Sequence, residues 1–215
     1  MENNPRKRKL LLIGGGGHCH SVIDSVLAMN IYDEIGIIDS NSDQYLGIPI
    51  IGVDDDIPEL ISEGWNEAFI SVGSIGDTSI RRKLYEMIKK YDMNIATIID
   101  PSAVIAKGVN IGEGCFVGKN AVVNSGSRIG ICSVINSSAI VEHDSSVGCF
   151  VHISPGTTIC GQVSVGNDSH IGAGSVVRQL ISIGSGSVIG VGSVVVKDIP
   201  DNVKAYGNPC RVIEQ

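Results

Sequence analysis

The stretch NSSAIVEHDSSVGCFVHISPG, residues 136–156, concentrates groups able to move protons: His143 between Glu142 and Asp144, then His152 and Pro155. An imidazole of ordinary pKa, near 6.5, accepts a proton at neutral pH. A carboxylate on one ring nitrogen, from Asp144 or Glu142, leaves the other nitrogen as a general base. Acyl transfer from a thioester needs little else: this base, a bound nucleophile, and donors facing the developing oxyanion. A metal centre is not expected. His143 and His152 lie half an 18-residue coil apart with no thiolate pair near them, and the six cysteines include no CxxC. Scattered free thiols suit a reducing compartment, so the cytoplasm is the expected location.

A second patch lies in KLLLIGGGGHCH, residues 9–20. Gly14, Gly15, Gly16 and Gly17 follow an apolar run and can present backbone N–H groups to a pyrophosphate at a helix start. As a dinucleotide fingerprint the patch is incomplete: Gly14 and Gly16 fit the first two glycines of GxGxxG, but Cys19 stands at the third. Asp39 falls near the distance expected of a ribose carboxylate.

The elements that must hold these patches differ on either side of residue 98. Upstream, KLLLI, EIGIIDS and EAFISVGS read as buried strands. HSVIDSVLAMN, with Val22, Ile23, Val26 and Leu27, and SIRRKLYEMIKKY, with Ile80, Leu84, Met87 and Ile88, repeat at helical spacing. Strands alternating with helices predict an α/β domain over residues 1–98, with a small parallel Rossmann-like sheet and ligands at the strands' carboxyl ends. Downstream the period becomes six. From Ile105 to Val195, all sixteen positions taken in steps of six are Ile or Val, and Gly follows in eight of them. That period fits one face of a triangular parallel β-helix, three hexads to a coil. The inward Ile and Val columns then fill the prism, and the glycines are expected to ease the corners. A β-helix domain over 99–215 follows, ended by VKDIPDNVKAYGNPCRVIEQ. Its three-sided shape suggests a homotrimer.

Composition bounds the function classes. With a formal charge of -7 and a pI near 5.1, binding nucleic acid is not the expected task. The basic run PRKRK, residues 5–9, reads as solvated flank. No apolar run is long enough to span a membrane.

The unbroken hexads, the Gly207-Asn208-Pro209 turn, the EHD and VHISPG segments and the GGGGH opening together resemble the left-handed β-helix acyltransferases. Within them they resemble the branch with a nucleotide-sugar-binding N-terminal domain: bacillosamine-type UDP-4-amino-sugar N-acetyltransferases, perosamine N-acetyltransferases and sialic acid O-acetyltransferases. The resemblance spans residues 10–213. It implies a left-handed β-helix and acetyl-CoA as co-substrate, lying in a groove between adjacent prisms. His143 would be the general base and Asp144, where the bacillosamine-type enzymes carry glutamate, would orient it. His152 would touch the thioester end of acetyl-CoA, and backbone at Gly161, Ala173 and Val191 would line the cofactor. Gly14 to His18 would hold the diphosphate and sugar, Asp39 the nucleoside, with Ser71, Gly73 and Ser74 bordering the pocket; Asn136 is a further candidate for substrate binding. The expected reaction is N-acetylation of a nucleotide-linked 4-amino-4,6-dideoxy sugar, UDP-linked by preference. GDP-perosamine N-acetylation, sialic acid O-acetylation and a non-enzymatic nucleotide-binding scaffold are the alternatives.

Overall fold

The computed structural model describes residues 7–40 and 44–213. The start of the basic run at residues 5–6 and the last two residues of the C-terminal segment lie outside the described residues. Two compact units form: one reaches to Gly73 and resumes over Lys83–Ala96, the other joins Ser74–Arg82 to the chain from Thr97 onward.

In the first unit the elements run β1 (Lys9–Ile13), α1 (Gly17–Met29), β2 (Glu34–Ile38), β3 (Ile50–Gly52), α2 (Ile57–Ser62), β4 (Glu67–Ile70), α3 (Ser79–Lys90, whose first turn belongs to the other unit) and β5 (Asn94–Ile95). The sheet is parallel throughout, in the order β3-β2-β1-β4-β5. β1 is central, and Leu10, Leu11, Leu12 and Ile13 are all buried, as a strand covered on both faces requires. The chain steps outward from β1 to β3, then crosses to β4. The order therefore reverses between β1 and β4, and the glycine loop sits at that reversal. The basic run is not simply solvated: Lys7 and Lys9 pair with Glu34, and Arg8 pairs with Glu67.

The second unit is a parallel β-helix of two-residue strands. As far as the last coil, strands pair in register with those 18 residues on, as in Val123↔Val141, Val141↔Ile159 and Ile159↔Val177. Three sheets result, of six, five and eight strands. The inward column begins one hexad before Ile105, since Ile99 already pairs with Val117. From Val117 to Val195 the whole column is buried.

The corners correct one expectation. Glycines directly after the inward residue are not there to turn the chain. At Gly130 a Cβ would lie 2.6 Å from the carbonyl carbon of Gly148 and 2.7 Å from the nitrogen of Cys149, so it is the next coil that excludes a side chain. The turn is made two residues later, where every sixth residue from Gly108 to Gly192 has positive φ, whether Gly, Asn120, Asp144, Phe150 or Leu180. One position further on, buried hydroxyls knit the coils together. Ser127, Ser133, Ser145, Thr157, Ser169 and Ser175 each donate to a carbonyl 15 residues ahead. Several of these oxygens also accept an N–H from 18 ahead, as Ser145 does from Val163. Buried polar groups are tolerated where they are bonded in this way.

Segment Ser74–Arg82 packs with the repeats, and there the expected helical face is rotated. Ile80 is 60% exposed, while Arg81 is buried and donates to the Cys132 carbonyl. Burial holds the Arg81 guanidinium below its usual pKa. Beside it Arg82 grips Asp168 with two bonds, Nε to Oδ1 at 2.8 Å and Nη2 to Oδ2 at 2.7 Å, and Thr78 donates to Oδ1 at 2.5 Å. Burial alone would raise the Asp168 carboxyl; the Arg82 and Thr78 bonds outweigh it and hold it below the usual carboxylate range. At the far end, strand Lys204–Gly207 continues the eight-stranded sheet in parallel and Cys210–Val212 folds back antiparallel to it.

Candidate active site

His143 stands on the corner after Val141, with its side chain 55% exposed. Its Nδ1 lies 2.9 Å from Asp144 Oδ2. With Nδ1–H donating to that carboxylate, Nε2 carries the lone pair. Asp144 occupies the left-handed turn position, φ 58°, which aspartate accepts more readily than bulkier residues. Glu142, the other candidate partner, accepts instead from the backbone N–H of His143 at 3.3 Å. Gly161, one coil on, lies beneath the ring. A cavity of about 350 Å³ opens here, lined by Glu142, His143, Cys160, Gly161, Gln162, Gln179 and Leu180. Gln162, Gln179 and Leu180 had no signal of their own in the sequence. Counting 18 and 36 residues forward from His143 and Asp144 reaches Gly161, Gln162, Gln179 and Leu180.

The residues expected to line the cofactor are not all on this corner. Gly161 follows the six-stranded sheet, whereas Ala173 and Val191 follow Ile171 and Ile189 of the eight-stranded one. Ala173 accepts from Gly192 N at 2.9 Å, and Val191 is 78% exposed. In one chain these form two different corners.

His152 and His170 pair one above the other on the eight-stranded sheet, their rings edge-to-face at 4.9 Å. His152 Nδ1 faces the Ser74 carbonyl at 3.2 Å and so carries the proton. Its Nε2 then accepts from Asn136 Nδ2 at 3.1 Å, the amide orientation being fixed by Ser137 N donating to Asn136 Oδ1 at 2.8 Å. Both ring nitrogens of His152 are engaged, and this geometry offers no N–H for a thioester oxygen. The Asn136 amide is likewise committed inside the protein. His170, buried, is held below the usual imidazole pKa.

In the first unit, Gly14 (φ 99°) donates to Ile38 O at 3.0 Å, and its carbonyl accepts from Ser71 Oγ at 2.6 Å. The Gly15 N–H is taken by Asp39 Oδ2 at 2.7 Å. Gly16 and Gly17 begin α1, exposed, with nothing within 4 Å of where a Cβ would stand. The exposed start of the helix can thus meet an anion. Ser71 is fully buried and braces the loop from below, and Gly73 packs against His18, where a Cβ would come within 3.3 Å of the histidine Cβ. Ser74 belongs to the other unit. Among the described residues no His, Cys, Asp and Glu group of metal-binding kind occurs, and no helix is long and apolar enough to cross a membrane.

Residues 9–88 match the family model of the PglD N-terminal domain, and residues 144–179 that of the bacterial transferase hexapeptide, six repeats. Curated proteins give no match. Among solved structures, a histidine-to-asparagine variant of perosamine N-acetyltransferase from Caulobacter crescentus, in complex with CoA and GDP-perosamine, is 33% identical. That match covers 96% of this chain and 97% of the other, with a TM-score of 0.91. The acetyltransferase domain of PglB from Neisseria gonorrhoeae, in complex with acetyl coenzyme A, is 35% identical over 96% of this chain and all 100% of its own, with a TM-score of 0.91. WeeI from Acinetobacter baumannii, 24% identical over 96% of this chain and 100% of its own, shares the fold at a TM-score of 0.84. The chain belongs to the hexapeptide-repeat left-handed β-helix acyltransferases, in their nucleotide-sugar acetyltransferase branch. It is an acetyl-CoA-dependent acetyltransferase.

Proposed function

We propose that the chain transfers an acetyl group from acetyl-CoA to the amino group of a nucleotide-linked 4-amino-4,6-dideoxy sugar. The observation that carries this is His143, with Nδ1 on Asp144 and Nε2 toward the cavity beside Gly161. The neutral amine attacks the thioester carbonyl and a C–N bond forms. His143 Nε2 takes the amine proton, the tetrahedral intermediate collapses, the C–S bond breaks and CoA leaves as the thiol or thiolate. The glycine loop and the start of α1 supply N–H groups suited to the acceptor's diphosphate. What supports a GDP-linked acceptor over the UDP-linked one expected from the sequence is the likeness to perosamine N-acetyltransferase with GDP-perosamine bound.

A homotrimer in the cytoplasm is part of the proposal. Two features support association. The outer row of the six-stranded sheet is apolar except for Thr158 (Val104, Val122, Ile140, Val176, Val194), where the five-stranded sheet shows Asn110, Arg128 and three serines. A groove using both Gly161 and the Ala173–Val191 corner would also take one corner from each of two copies.

The test is CoA thiol release with GDP-perosamine, UDP-4-amino-4,6-dideoxy-N-acetylglucosamine, sialic acid and CMP-sialic acid, for the wild type and His143→Ala. Fast release with a nucleotide-linked amine, much reduced in the variant, is expected. Release with sialic acid alone would make the enzyme an O-acetyltransferase.

A further inference from the structure

His20, in the first turn of α1, and Tyr45, on the connection from β2 to β3, stack with ring centroids 3.8 Å apart and planes 10° from parallel. Free aromatic pairs settle into offset or edge-on arrangements with centroids about 4.5–7 Å apart. These two rings sit closer together and more nearly parallel than that. Tyr45 begins a tight turn in which Ile48 N donates to the Tyr45 carbonyl at 2.9 Å, and Leu46 and Gly47 take φ values of 50° and 76°. Two successive positive φ values define a type I′ turn, the stiff two-residue reversal. His20 is fixed by a helix whose first residues are the glycine loop itself. Both side chains are half-buried. His20 covers one face of the phenol ring, so the opposite face is the one that can meet a ligand.

The placement gives this pair a use. In a parallel sheet of reversing strand order, a nucleotide lies across the carboxyl ends, its phosphates at the first glycine turn and its ribose near the acidic residue ending the second strand. Here the glycine turn follows β1 and Asp39 follows β2, anchored to Gly15. Tyr45 lies further along that same connection, and its stack on His20 puts its ring beside the first turn of α1, next to the glycine loop. We propose that Tyr45, backed by His20, is the platform on which the nucleobase of the acceptor stacks. The inference rests on the reading of the acceptor as nucleotide-linked. Stacking on an aromatic face tolerates any base and grows with overlap, so a purine gains more from it than a pyrimidine.

The test is titration calorimetry of GDP and UDP into the full-length wild type, Tyr45→Phe, Tyr45→Ala and His20→Ala, with acetyl-CoA titrated into each as a folding control. Tyr45→Ala is expected to weaken GDP about 5- to 100-fold and UDP less, with acetyl-CoA unchanged. Tyr45→Phe, which keeps the ring, should stay within about twofold of wild type, and His20→Ala should fall between the two. Equal GDP affinity in wild type and Tyr45→Ala would overturn the platform while leaving the nucleotide reading intact. So would a loss in Tyr45→Phe as large as in Tyr45→Ala, since the hydroxyl and not the ring would then be the contact. A wild type that binds acetyl-CoA but neither nucleotide would overturn the nucleotide reading, and the platform with it.

Discussion

Gly161 lies directly beneath the imidazole of His143: a Cβ at residue 161 would stand 2.6 Å from Nε2 and 2.8 Å from Cε1. The obstructed group is an exposed side chain, free to swing away, so Gly161→Ala should fold nearly as well as wild type. The imidazole proposed as the base would then be displaced by about an ångström. Displacements of that size cost up to about a hundredfold in rate. We expect kcat to fall about 10- to 100-fold with the unfolding temperature almost unmoved, checked by thiol-release kinetics beside a thermal melt.

Asp144 should matter through its charge rather than its shape. Asp144→Asn keeps a side chain suited to the left-handed corner, but removes the carboxylate that accepts from Nδ1 and steadies the imidazolium. A fall in kcat of roughly 10- to 100-fold is expected, with the KM for acetyl-CoA within about twofold. His143→Ala should cost more with a hydroxyl acceptor than with an amine, because a neutral amine is already nucleophilic. Acceptor-dependent rates measured side by side check both statements.

The corner glycines divide into two kinds that mutagenesis can separate. Gly130→Ala drives a Cβ into backbone of the next coil, which has nowhere to go, and should cost roughly 3 kcal/mol, lowering Tm by about 6–12 °C. Gly174→Ala meets open space and loses only the ease of its positive φ, 66°, a cost of about 1 kcal/mol. Differential scanning calorimetry of the two variants should rank them in that order.

Asp168 gives the fold a dependence on acid. Its carboxyl is held below the value it has in the unfolded chain, burial being outweighed by the bonds from Arg82 and Thr78. The native state therefore gains stability above the unfolded pKa, near 4, and loses it as pH falls through the lower folded value. Asp168→Asn should be less stable than wild type by roughly 0.5–1 kcal/mol at pH 7, solvent screening of the half-exposed Arg82 keeping the effect small. The gap should close as pH drops below about 4, as read from urea midpoints across pH.

Much of this is legible in the sequence itself. The Ile and Val column announces the β-helix because one inward position per hexad must be apolar in every coil, and the EHD triplet singles out His143 as a candidate base because its neighbours are acidic. What escaped depends on contacts the period does not encode. Arg81 looks like an outward charge in a helix, and only the Cys132 carbonyl explains its burial. The glycines that directly follow the inward residues, such as Gly112 and Gly130, look like corner residues, since a sequence shows neither φ nor the distance to a neighbouring coil. That Ser71 bonds the Gly14 carbonyl and Asn136 the His152 ring is set by contacts between distant residues, which a polar residue type alone does not announce. His20 follows the glycines in GGGGHCH with nothing in the sequence to mark it as a stacking partner. Its partner Tyr45, 25 residues on in an irregular connection, carried no pattern at all.

The antiparallel return of Cys210–Val212 onto Lys204–Gly207 has a consequence for the protein as a material. A stack of identical parallel rungs can in principle be lengthened by any strand that matches its last rung, including the first rung of another molecule, so its open end is a seed for fibre growth. Reversing the chain direction there removes the template on that face. A rung added to this strand in the direction of the repeat would have to pair antiparallel to it, out of step with the parallel ladder, and the exposed Arg211 adds a charge that discourages further pairing. The same short hairpin that ends the repeat thereby guards against end-to-end polymerisation.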